Sequence, residues 1–327
     1  MAESYEINLY HREKNADGSN NSVVGITSEE YFELEAHREF RNFIGGVVEA
    51  YEHIVLNYRD FELSNFSAIL NDVLLDKDPE SVFAARSAIN RHLVNMLGST
   101  YLYVCLLRIN KKDTKDPDTS IENSTDTQIV HSLKESFQAV TNGYHLEYYQ
   151  YTFMSALRNR LNHGGSLEKV TELGTEWSIR RVPEGEENDG SLKKDHRYSI
   201  LDQRVPKDQA RKIISPKHYR NVEHLIPNSF YIREAIRKYI GLISAAHSEV
   251  KNEARGTFDL GEERIRSYLP VDGSYEATLV RRAENGKEKS ASLGSSRSLE
   301  VAYSGSAKSP LGLEYHLMPG EPSSVPK

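Results

Sequence analysis

A chain of 327 residues spans about two domains by length and is long enough to bury a sizeable core. With 38% hydrophobic, 27% charged and 9% aromatic residues and a mean hydropathy of -0.60, its composition excludes a membrane span, a fibre and a wholly disordered chain. The net charge of -7 argues against a broad basic face for nucleic acid, so any such contact is expected to be local. A single cysteine, Cys105, forms neither an intramolecular disulfide nor a cysteine cluster and points to a reducing compartment. The opening Met1-Ala2-Glu3-Ser4-Tyr5-Glu6 lacks a basic and an apolar region, so the expected location is cytoplasmic. Twelve histidines include no H-E-x-x-H pair and no ligand-spaced Cys/His cluster, and the chain has no P-loop, G-x-G-x-x-G helix start or G-x-S-x-G elbow. No metal and no cofactor are expected.

Residues 1–27 are polar, and only 5–10 alternate like a strand, so they read as an N-terminal arm. A hydroxyl at Thr27 or Ser28 followed by Glu29-Glu30 reads as a helix start. Phe32, Ala36, Phe40, Phe43 and Val47 then give a helical period reaching Tyr58, interrupted by Gly45-Gly46 as a kink or a close backbone approach. A shorter helix is expected over 66–75. Asp78-Pro79-Glu80-Ser81 starts the next, with a stripe of Ala85, Ile89, Leu93, Leu97 and Tyr101; residues 101–107 are apolar nearly all round, making Cys105 a core residue. Residues 111–126 read as a surface loop. Helical periodicity resumes at Thr127 with Ile129, Leu133 and Phe137, continues past Asn142-Gly143 to Leu161, and stops at Gly164-Gly165.

Residues 176–182 and 196–201 are strand-like around an acidic, Gly-containing loop, which predicts a β-hairpin insertion over about 172–204. Helices are expected over 207–214, from Pro227-Asn228-Ser229 through Ile232, Ile236, Ile240 and Ile243 to Val250, and briefly over 262–269. Strand-like pieces at 275–281 and 299–303 suggest a small hairpin, and the proline-containing 319–327 a loose tail. The organisation is then an arm (1–27), a helical domain (28–253) bearing the hairpin, and a C-terminal segment (254–327) of short helix, small hairpin and tail.

The segment 157–165, Leu-Arg-Asn-Arg-Leu-Asn-His-Gly-Gly, concentrates Arg158, Asn159, Arg160, Asn162 and His163 at a helix C-terminus. Arginine presents a fixed fork of donors that fits a phosphate, and histidine moves protons near neutral pH; together they suffice for phosphodiester cleavage without a metal. The attacking group is then the substrate's own 2′-hydroxyl, which specifies RNA. Arg158 and His163 are five apart and diverge by about 140° on an ideal helix. Distortion at the glycines or a two-fold dimer that pairs two copies of the segment would bring them together, and the dimer is the favoured remedy. The plainer alternatives are that Arg158, Arg160 and His163 are solvated helix-end cations, that Arg91 and His92 are ordinary helix residues, and that Tyr144, Tyr148, Tyr149 and Tyr151 are core. Tyr148 and Tyr151 would otherwise line a base-stacking groove. Trp177 with Arg180-Arg181 either extends an RNA path or forms a solvated strand face.

Arg158-Asn159 followed by His163 is similar to the R-x4-6-H signature of the HEPN superfamily, the higher eukaryote and prokaryote nucleotide-binding domains. The string Asn90-Arg91…Asn95 in a long upstream helix also resembles bacterial abortive-infection members, and the resemblance covers roughly 28–165 with the helix over 228–250. It implies a mainly α fold: a HEPN-like helical bundle with a β-hairpin insertion and a small C-terminal β/loop appendage, dimerising so that paired motifs line a cleft. It implies a metal-independent endoribonuclease acting in bacterial anti-phage defence or as a toxin, with Arg158 holding the scissile phosphate, His163 as general acid or base, and Asn159 orienting either. Arg160, Asn162, Tyr151 and Arg91 are the expected RNA contacts. The chain departs from the pattern in which a tyrosine follows the histidine by two, since Gly165 stands there. Restraint by the acidic loop 184–189, the tail or a regulatory partner protein is expected of such an enzyme. The alternative is a non-catalytic HEPN-like module binding a nucleotide or a protein.

Overall fold

The computed structural model describes residues 4–11, 21–74, 79–109, 125–162, 178–183, 196–268, 275–282 and 288–295. Among these the chain is mainly α, with seven helices and small antiparallel sheets. It divides into two compact units, one of residues 1–48, 108–137 and 248–327, the other of 49–107 and 138–247. The division falls within three long helices.

In the first unit, β1 (Ser4–His11) and β2 (Asn21–Ile26) pair antiparallel with Ile7 opposite Val24. The expected arm is therefore sheet. On its other edge β1 pairs with β7 (Tyr275–Arg282), Ile7 opposite Leu279, and β7 pairs with β8 (Glu288–Ser295), giving the order β2-β1-β7-β8. The C-terminal hairpin is thus one half of a sheet completed by the N-terminus. Its second strand is 288–295; the expected strand at 299–303 and the tail lie outside the described residues.

The first helix, α1 (Ser28–Leu74), begins with a capping box: the Thr27 amide donates to Glu30 Oε2 at 2.8 Å and the Glu30 amide to Thr27 Oγ1 at 3.2 Å. Tyr31 and Leu34 of α1 close one core with Ile7, Leu279, Leu293 and Ile265. Phe32, expected inside, is 43% exposed, because the inward face of α1 here is set by Tyr31 and Leu34. Ile265 belongs to the second half of α7 (Ile232–Ser267), so the short helix expected over 262–269 is the end of one long helix. There the buried His37 ring lies 3.4 Å from Glu262 Oε1 and against Gly261, where any Cβ would overlap it. Residues 125–137 open α3 (Thr125–Glu147), with Leu133 and Phe137 buried.

The second unit contains the remainder of α1. The helix runs unbroken through Gly45-Gly46 and through the shorter helix expected over 66–75, and neither glycine has a described atom where a Cβ would stand. Helix α2 (Pro79–Leu106) buries Ile89, Leu93, Met96, Leu97 and Tyr103. Its end is less enclosed than its composition suggests: Cys105 is exposed and Leu102 is 63% exposed. Cys105 is therefore not core; Tyr103 and Leu107 turn inward instead. Tyr51, His247 and Tyr103 tie α1, α7 and α2 together, with Tyr51 stacked on His247 at 3.9 Å and the Tyr103 hydroxyl 3.1 Å from His247 Nδ1.

Helix α3 passes through Asn142-Gly143 and breaks at Tyr148, after which α4 (Tyr149–Asn162) begins and packs on α2. The hairpin insertion is present as β3 (Ser178–Pro183) with β4 (His196–Asp202). Trp177 and the acidic loop 184–189 lie outside the described residues. Next, β5 (Arg204–Pro206) leads into α5 (Lys207–Ile213) and α6 (Pro216–Val222), which Ser215 caps by accepting the His218 amide. The stretch at Ser229, expected to start a helix, instead forms β6 (Ser229–Tyr231), paired with β5, and α7 follows. In α7, Ile232, Ile236, Ile240 and Ile243 are buried, as their spacing requires. No helix among the described residues is long and apolar enough to cross a membrane.

Candidate functional site

Helix α4 carries the basic segment. It buries Tyr151, Phe153, Met154 and Leu157, and this apolar face carries Arg158 inward with it. Arg158 is 6% exposed, so it is not the solvated helix-end cation of the plainer reading. Its Nε and Nη2 donate to Asn159 Oδ1 at 3.2 and 3.1 Å, and Nη1 donates to the Tyr239 hydroxyl at 3.2 Å. Asn159, expected to orient the imidazole or the phosphate, is exposed and orients the guanidinium.

The other expected residues separate. Arg160 donates through Nη2 to the Lys212 carbonyl on α5. Arg91 faces solvent on α2, whereas Arg158 is buried. Tyr151, expected to stack a base, is 2% exposed, with its ring against Tyr144, His145 and Tyr239 at 5.4, 4.9 and 5.3 Å. It is a core residue, because a ring enclosed on that many sides has no face left for a base. The Asn162 side chain, His163, Gly164 and Gly165 lie outside the described residues.

Two histidines that the sequence reading passed over sit beside this group. His145, on the last turn of α3, stacks on His218 of α6 with ring centres 5.0 Å apart and planes 17° apart. His145 Nδ1 is 3.3 Å from Thr152 Oγ1, and that hydroxyl donates to the His145 carbonyl at 3.2 Å. The Thr152 hydroxyl thus stands within reach of both the His145 ring and the His145 carbonyl. Burial first, then the neighbouring His218 and the Arg158 charge, pushes the His145 pKa down to about 4. No local spacing signals this pair; adjacency of α3 and α6 alone makes it.

The depressed pKa has a measurable consequence. Between pH 6.5 and about 4 the unfolded chain takes up a proton at His145 that the folded chain refuses, so acidification across that window favours unfolding. Urea unfolding at pH 7 and pH 5 is expected to show wild type losing about 1–2 kcal/mol more than His145→Gln, which carries no titrating ring. Equal losses would show that the ring titrates normally.

Comparison with family models, curated proteins and solved structures gives no match to the chain. The class that the fold itself defines is a mainly α protein with small antiparallel sheets, and its candidate site is a buried arginine at the end of α4 beside a stacked histidine pair.

Proposed function

We propose that the chain is a metal-independent endoribonuclease whose site is centred on the end of α4. Arg158 holds the scissile phosphate, His163 serves as general acid or base, and Asn159 fixes the guanidinium from which the phosphate takes its orientation. The observation that carries this reading is the burial of Arg158 with its fork aligned by Asn159 and Tyr239. A guanidinium already ordered costs little further entropy when it grips an anion, and a partly dry setting strengthens the attraction. Resemblance of 158–163 to the R-x4-6-H signature adds the HEPN-like bundle, the homodimer with paired motifs and the setting in bacterial defence or toxicity. Arg160, at the next position, is bonded to a backbone carbonyl and serves RNA less directly than the sequence suggests.

The same burial favours a second reading, in which Arg158 is a structural tie and the segment is a non-catalytic site for a nucleotide or a protein. Incubation of wild type and His163→Ala with total RNA and tRNA in EDTA separates the two. Cleavage by wild type alone, leaving 2′,3′-cyclic phosphate ends, is the expected result. Cleavage by both removes His163 from the mechanism, and silence from both supports the binding module.

A further inference from the structure

In the first unit the inward row of β7 runs from the buried Ala277 and Leu279 to Arg281, which lies between Tyr5 of β1 and Lys289 of β8 in the register of the sheet. Two cations thus stand directly opposite each other, an arrangement that repels unless an anion lies between them. Across this end of the sheet α1 presents Tyr31, Glu35 and Arg38 at intervals of four and three residues, one stripe of the helix, and Lys289 Nζ donates to Glu35 Oε1 at 2.7 Å. We infer that this end of the sheet binds a nucleoside phosphate, with Arg281, Lys289 and the Tyr31 hydroxyl on the phosphate and the Phe32 ring against the base. The site is built wholly from residues of the first unit and does not depend on the ribonuclease reading.

Two buried donors here lack an acceptor. Tyr31 is fully buried, and neither its hydroxyl nor the buried Nε of Arg38 has a hydrogen-bond partner among the described residues. Unmade bonds of this kind are costly, and a bound anion supplies the acceptors that the chain itself withholds. The charges around the hydroxyl are mostly positive. Burial first, then Glu35, raise the Tyr31 pKa, while Lys289, Arg281 and Arg38 all act to lower it. Glu35 holds Lys289, and the exposed Glu39 stands 3.9 Å from Arg38 Nη2. Three cations against two carboxylates leave this end of the sheet positive in a chain whose net charge is -7. Arg281 is also held in place: its guanidinium lies over the rings of Tyr5 and Phe32 at 5.9 and 5.7 Å, which fixes the plane of its fork.

The group opens to solvent at Lys289, whose side chain is mostly exposed, and at Phe32, which is 43% exposed. Lys289 carries three N–H donors, so it serves Glu35 and a phosphate oxygen together. Phe32 is fixed by neighbouring rings, with Tyr31 edge-on at 5.5 Å and Tyr5 tilted at 6.1 Å. An ordered, part-exposed aromatic ring beside an arginine and a lysine matches the two halves of a nucleotide, since any base has a face to stack and its phosphate needs donors. The ligand is either a free mononucleotide or one nucleotide within a single RNA strand.

The test uses the full chain in EDTA with inorganic phosphate, adenosine 5′-monophosphate and a labelled single-stranded 2′-O-methyl RNA, which binds without reacting. Wild type is expected to bind the strand in a salt-dependent way, and the monophosphate to displace it at lower concentration than phosphate does. Lys289→Gln, which keeps a donor for Glu35, is expected to weaken strand binding at least about fivefold and to reduce the salt slope by about 0.7. Phe32→Ala is expected to weaken strand and monophosphate at least about fivefold while leaving inorganic phosphate unchanged. Arg255→Gln, which removes an exposed charge from α7 in the same unit, is expected to bind like wild type. Urea midpoints check that each variant is folded. Monophosphate binding as tight as the strand's supports a free nucleotide as the ligand, and a much tighter strand supports RNA. Equal losses in Lys289→Gln and Arg255→Gln, or none in either, overturn the site. Phosphate that competes as well as the monophosphate, with Phe32→Ala unchanged, overturns the assignment to a nucleoside phosphate. A wild type that binds none of the three overturns it outright. Cleavage is not read, so the ribonuclease reading stands or falls by its own assay.

Discussion

Arg158→Ala is expected to lower unfolding stability by about 2–4 kcal/mol and, on the ribonuclease proposal, to abolish RNA cleavage. Both effects follow from where the side chain sits. The residue is 6% exposed, and its Nη1 supplies a hydrogen bond to the hydroxyl of Tyr239, itself fully buried. Truncation removes that donor, releases Asn159 and leaves a void where the stem packed. Arg158→Lys separates the two roles, since it keeps the stem and the charge but replaces the planar fork with a point charge. It is expected to recover most of the stability while cleavage stays at least about tenfold down. Urea unfolding alongside the EDTA cleavage assay measures both. A fully active lysine variant would contradict fork-like recognition of phosphate, and an alanine variant with wild-type unfolding would contradict the buried geometry.

Glu62→Ala is expected to lower unfolding stability by about 3–5 kcal/mol. Glu62 of α1 accepts from Arg233 Nε at 3.1 Å, from Arg237 Nε at 2.9 Å and from the Tyr58 hydroxyl at 2.9 Å. Burial alone would raise the carboxyl pKa, but Arg237 and Arg233 outweigh it and hold the group below the usual range. Arg233 is only 8% exposed, so removing the carboxylate takes an ion-pair partner from a buried guanidinium. Arg237 is mostly exposed and contributes less to the loss. The consequence reaches the site, because the α7 turn that carries Arg233 and Arg237 also leads to Tyr239, the acceptor for Arg158. Denaturant midpoints for Glu62→Ala and Glu62→Gln should differ, with glutamine retaining hydrogen bonds and a smaller loss. Equal, small losses in both would show that the cluster is solvated and worth little.

The legible parts of the chain were those with local causes. The capping box at Thr27 and Glu30, the stripe Ile89, Leu93 and Leu97, and the isoleucines of α7 each follow from spacing within a few residues, and each is found where it was expected. The hairpin of β3 and β4 was likewise readable from two alternating runs around a turn. Breaks were harder. Gly45-Gly46 looks like an interruption yet lies within a helix, because tertiary packing of a long apolar face outweighs about 1 kcal/mol of propensity per glycine. Cys105 stands exposed where core was expected, and Tyr151 follows the plainer of its two readings, core rather than base-stacking. The residue type allowed either burial or exposure, and the rotation of the helix against its neighbours chose.

Sequence by itself determined that this is a mainly helical chain with a concentrated Arg, Asn and His segment at the end of one helix. Those properties are set by periodicity and by neighbours along the chain. Only the tertiary structure decided that the N-terminal arm is a strand of a sheet closed by the C-terminal hairpin, that Arg158 is buried and tied to Tyr239, and that His145 meets His218. Each of those pairs residues far apart in the chain, and no local pattern encodes such a pairing. The imidazole pair exists because α3 and α6 come together, and burial, the neighbouring ring and the Arg158 charge then lower the pKa of His145.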